Sequence, residues 1–174
     1  MRCYKEGGQI GKNNALYLAS ANDSLAHVVE RLIEGGAAVD AGHSGSGDTP
    51  LCIAAYQGNA DVVERLIAAG ADVDKARNTA NGENATPLCM AVQEGHLDVV
   101  VQLINAGADI DKAEGGVTLL YRAIQEGHVD VVERLIAAGA DVTKASTVGR
   151  CRLMTVSKPE LKAPMVSALE ARTS

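Results

Sequence analysis

The side chains of this 174-residue chain with the means to do chemistry are few, and their spacing scatters them. Cys3, Cys52, Cys89 and Cys151 make an even count, yet no secretion signal accompanies them, so a disulfide framework is not expected. His96 and His128 could ligate a metal, but a site needs further ligands converging on one point, and none stands at ligand spacing. Gly7-Gly8-Gln9-Ile10-Gly11-Lys12 invites a phosphate-loop reading and fails it. Glu6 stands where the first glycine belongs and Asn13 where a metal-binding Ser or Thr belongs. Gly42 to Gly47 neither follows a core strand nor opens into a βαβ unit. Asp72, Asp109 and Asp141 recur at a fixed period, the opposite of a convergent catalytic cluster. No catalytic residue, cofactor or metal is therefore expected.

The elements that carry these residues are copies of one another. Asp61 to Val73 (DVVERLIAAGADV) recurs letter for letter at Asp130 to Val142, with DVVVQLINAGADI from Asp98 and HVVERLIEGGAAV from His27 as further copies. The closing glycines Gly36, Gly70, Gly107 and Gly139 are spaced by 34, 37 and 32 residues. Each copy opens on a second signature: Asn14-Ala15-Leu16, Thr49-Pro50-Leu51, Thr86-Pro87-Leu88 and Thr118-Leu119-Leu120. A Thr hydroxyl can cap a helix, and a Pro at the next position has no N–H to leave unsatisfied. Gly58, Gly95 and Gly127 then end a short first helix. The second helix presents Val62, Val63, Leu66 and Ile67 as one apolar stripe, and Gly70 ends it.

This pattern resembles the ankyrin repeat over residues 14 to 145. The resemblance implies an all-α solenoid of stacked helix-turn-helix units joined by extended hairpin loops, in four repeats at about 14–47, 48–84, 85–116 and 117–145. It departs from the family after the Thr-Pro-Leu position, where the customary His is Tyr17, Cys52, Cys89 or Tyr121. The first copy also has Asp23 near the expected glycine and one extra residue, which predicts a looser turn. Cys52 and Cys89 hold equivalent places one repeat apart. Packed helices lie about 8–10 Å apart, beyond the roughly 7 Å a disulfide spans, so both are expected as buried free thiols.

Composition agrees with close packing of small aliphatic helices: hydrophobic residues make up 47%, and four tyrosines are the whole aromatic content. Residues 14–145 hold 8 basic and 19 acidic residues, a net −11, whereas 146–174 hold 5 basic and 2 acidic. The first 13 residues read as an N-terminal extension and 146–174 as a basic tail. A degenerate capping repeat can be read into that tail from Cys151-Arg152-Leu153. Arg122 replaces Leu18, Ile53 and Met90 of the earlier copies, which suggests a poorer or wetter neighbour beyond the fourth repeat. The overall charge of −6 disfavours nucleic acid and anionic membrane as partners. No apolar run reaches the roughly 18 residues of a membrane span. An intracellular, cytoplasmic location and a monomer are expected.

What remains is a surface. The resemblance implies a non-catalytic protein–protein interaction module, with a protein or peptide bound by the hairpin tips and the exposed side of the first helices. The matching positions are Ala21 and Asn22, Tyr56 and Gln57, Gln93 and Glu94, and Gln125 and Glu126, with His43, Asp48, Arg77, Asn78 and Glu114 at the tips. The alternative is a targeting or regulatory subunit that positions a catalytic partner.

Overall fold

The computed structural model describes residues 3–77, 85–112 and 117–141. Its helices come in pairs: α1 (Cys3–Ser20) with α2 (Ala26–Glu34), α3 (Pro50–Gln57) with α4 (Ala60–Ala68), α5 (Pro87–Glu94) with α6 (Leu97–Asn105), and α7 (Leu119–Glu126) with α8 (Val129–Ala137). The expected capping chemistry sets the start of three first helices. Thr49, Thr86 and Thr118 each accept, on Oγ1, the backbone N–H three residues ahead, at 3.2–3.3 Å.

First helices stack on first helices, α1 on α3, α5 and α7 in turn, and second helices form a parallel outer row. The core between the rows is built without Phe or Trp. Leu51, Leu66, Leu88, Leu103 and Leu135 are fully enclosed, and Ala54, Ala55, Ala91 and Ala123 let neighbouring backbones approach closely.

Two polar ladders fix each unit to the one before it. At the entry of the second helices, Asn59 Nδ2 donates to the Ser20 carbonyl at 2.9 Å. His96 Nε2 reaches the Tyr56 carbonyl and His128 Nε2 the Gln93 carbonyl, both at 3.0 Å. A carbonyl can only accept, so Nε2 of each ring carries the proton. On the loop side, the carboxylates of Asp40, Asp74 and Asp111 accept the backbone N–H of Asp72, Asp109 and Asp141 in the following unit, each at 3.1 Å. Asp72 and Asp109 also close their own turns by accepting from Asp74 and Asp111.

The first unit differs from the sequence expectation. Asn14 does not open a helix, and no break separates an extension at residue 13 from the repeat: α1 runs unbroken from Cys3. The following residue is Ala15 where two of the other copies have proline, and an alanine lets the helix continue upstream. The added turns close the start of the stack. Asn13 Oδ1 accepts from the Ala38 N–H at 2.9 Å, taking the place that an aspartate of the preceding unit fills elsewhere. Gln9 and Lys12 donate to the carbonyls of Gly36 and Gly35 at the end of α2. The longer turn after α1 is a 3-10 turn, Asp23–Leu25, capped by Asn22.

Arg122 also makes a contact that its place in the repeat did not foretell. Its guanidinium points back to the preceding unit, donating to Gln93 Oε1 at 3.3 Å. Its charge therefore has a polar partner within the stack, and the expected neighbour beyond the fourth unit lies outside the described residues.

Candidate functional site

The expected surface residues fall into three groups. Some are occupied by their own loops. Asn22 Oδ1 accepts from the N–H and hydroxyl of Ser24. His43 is half-buried, stacks on Tyr17 with ring centroids 4.3 Å apart, and accepts on Nδ1 from Gly45 and Ser46. It organises the tip from Gly42 to Asp48, which closes through the His43 N–H on the Asp48 carbonyl at 2.8 Å. Asn78, Glu114 and the tail at 146–174 lie outside the described residues.

A second group converges. Asp48 at one tip, Tyr56 at the end of α3 and Arg77 at the base of the next tip meet around a pocket with about 130 Å³ of space. Cys52, Ile53 and Met90 supply its apolar lining. Arg77 Nη1 lies 3.9 Å from Asp48 Oδ1, a long contact, with the two side chains 27% and 15% exposed. Tyr56 is 42% exposed, and its backbone carbonyl is the one held by His96.

The third group lines the ends of the first helices. Gln57, Glu94, Gln125 and Glu126 are exposed, and Gln93 is half-buried. Gln93 is the centre of a relay: its Oε1 accepts from Arg122, and its Nε2 donates to Glu94 Oε1 at 3.2 Å. The Glu94 carboxylate is thereby held in place from behind.

Reading the sequence did not single out Ile53 and Met90 as pocket residues or Asn59, His96 and His128 as bridges. A signal for the bridges was present, since all three occupy the residue just after the glycine that ends a first helix, and all three can donate. The pocket had no such signal, because it forms only when α3 and α5 stack.

Cys52 and Cys89 are buried thiols with no disulfide between them, as their spacing required. Burial pushes the Cys52 thiol up from its ordinary range, and the Asp48 carboxylate adds to this against the opposing hydrogen bonds of Thr49 and the charge of Arg77. The thiol donates to the Lys75 carbonyl at 3.6 Å. A protonated, enclosed sulfur is a poor nucleophile. In a disulfide-exchange assay near pH 8, both thiols are expected to react at least ~10-fold more slowly in the native protein than in urea. Prompt native labelling would show that the pocket floor opens.

Among the described residues, no cluster of three or more His, Cys, Asp or Glu could hold a metal ion, and no helix is long and apolar enough to cross a membrane. Paired helices, threonine caps and stacking through both rows are the marks of one family, whose model for ankyrin repeats (3 copies) matches residues 3–77 and 73–146. The chain belongs to the ankyrin-repeat family. Ankyrin repeats are generally protein–protein interaction modules, and domains built from them are typically non-catalytic. No curated protein matches this chain.

Proposed function

We propose that this ankyrin-repeat chain is a non-catalytic, monomeric interaction module that binds a protein or peptide through the concave side, formed by the ends of the first helices and the hairpin tips. One observation carries the reading. The framework residues repeat from unit to unit, whereas the row at the ends of the first helices departs from repetition at α3, which carries Tyr56-Gln57 where α5 and α7 both carry Gln-Glu, at 93–94 and 125–126. A rigid stack that places one exposed aromatic in an otherwise polar row supports a recognition surface. The buried thiols of Cys52 and Cys89, not joined in a disulfide, favour a reducing, intracellular setting.

Tyr56 is the anchor of this surface. It is the only aromatic side chain in the row, it is exposed, and it borders the pocket. Affinity capture with the intact chain, followed by mass spectrometry, identifies the partner. Tyr56→Ala is then expected to weaken binding by ~1–3 kcal/mol with little change in melting temperature. Glu64→Gln and Glu133→Gln, exposed on the outer helices, are expected to leave affinity unchanged. Loss of affinity from the outer-helix variants with Tyr56→Ala silent would place the partner on the convex side.

A further inference from the structure

The pocket beside Tyr56 and the carboxylates next to it narrow the kind of partner, on the reading that the first-helix face is the binding face. We propose that this face takes an extended peptide segment with one leucine- or methionine-sized aliphatic residue and, to one side, lysine or arginine at intervals of about three residues.

The pocket sets the anchor. With about 130 Å³ of space it is well below the roughly 300–1,000 Å³ of small-molecule and cofactor sites. Its lining of Cys52, Ile53, Met90 and Tyr56 offers no unpaired charge to a guest, because Asp48 and Arg77 at its edge face each other. An uncharged aliphatic side chain suits it, and burying a charged group there would cost desolvation. The anchor is also single along α5 and α7. At the next junction the residues equivalent to Tyr56 and Met90 are Gln93 and Arg122, and these bond to each other across the same space.

The edge sets the flanking charge. Arg77 and Arg122 are half-buried and turned toward Asp48 and Gln93, while Lys75, whose carbonyl accepts from the Cys52 thiol, is exposed on the loop before Arg77. Glu94 and Glu126 are exposed, one unit apart, and Glu94 is held by the Gln93 amide. Along the ends of α5 and α7, two outward carboxylates thus follow the pocket. Stacked helices lie about 8–10 Å apart and an extended chain advances about 3.3 Å per residue, so basic residues roughly three positions apart would meet the two carboxylates in turn.

The test is a displayed library of random peptides of about a dozen residues, selected on the intact chain, with the selected peptides then synthesised as probes. Support requires that selected peptides share an aliphatic residue with basic residues spaced to one side. Alanine in place of the aliphatic residue, Tyr56→Ala, and the double variant Glu94→Gln with Glu126→Gln are each expected to weaken binding about 10-fold or more, with circular dichroism unchanged. All three substituted side chains are exposed, so loss of folding does not confound the result. Selected peptides that depend on Tyr56 but carry acidic or uncharged flanks would overturn this inference and leave the concave reading intact. Peptides indifferent to every inner-face variant would overturn both. Failure to select any peptide would overturn the inference alone, since the partner captured from the cell tests the face separately.

Discussion

Gly95→Ala is expected to lower stability by ~3 kcal/mol, whereas Gly107→Ala, also at a positive φ, should cost only about 1–2 kcal/mol. Gly95 has φ +78 and Gly107 φ +92, so both pay for a side chain in the left-handed region. The difference lies in the neighbours. A Cβ on Gly95 would come within 2.5 Å of the His128 ring, while one on Gly107 would meet nothing within 4 Å. The histidine must then leave the Gln93 carbonyl, and the junction between the third and fourth units loses its bridge. Urea denaturation of the two variants makes the comparison. A double variant, Gly95→Ala with His128→Ala, should be no less stable than Gly95→Ala alone, because the ring that clashes is gone. Equal costs for the two glycine variants would show that backbone conformation is the whole effect.

Leu88→Ala is the second large loss, with an expected cost of ~3 kcal/mol from transfer and the cavity left behind. Leu88 is fully buried in α5, which packs on α3, α6 and α7. The shape of the transition should change as well. In a stack whose units touch only their neighbours, weakening a middle unit uncouples the two ends. Unfolding followed by circular dichroism is expected to broaden or divide into two steps, where the parent shows one. A single sharp transition at an unchanged midpoint would contradict the central place given to this unit.

Much of this architecture was legible because its causes are local. A threonine hydroxyl three residues from the N–H it accepts, a proline at the first helical position and a glycine at the helix end act within one turn, so Thr49-Pro50 and Thr86-Pro87 announce their helices directly. The start of the chain was misread for the same reason. Gly7, Gly8 and Gly11 weaken a helix by their local preference, and Asn14 sat in the threonine register. What holds α1 together reaches farther: Asn13 onto Ala38, Lys12 onto Gly35 and Gln9 onto Gly36 span more than 20 residues. The candidate site divides similarly. The row at Tyr56, Gln93 and Gln125 could be found by counting, whereas the meeting of Arg77 and Met90 beside Tyr56 depends on how one unit settles on the next.

On the proposed binding face, the bond from His96 to the Tyr56 carbonyl would make recognition and stacking reciprocal. Tyr56, the proposed anchor, has its own peptide unit gripped by the following repeat, and the pocket itself has walls from both units. A guest seated there favours the closed junction over the open one by its difference in affinity for the two, and closing the junction must raise affinity for the guest by the same factor. Occupancy would then appear away from the contact, as slower amide exchange in α4 and α6. A substitution inside the His96 junction would read as weaker binding without touching the guest.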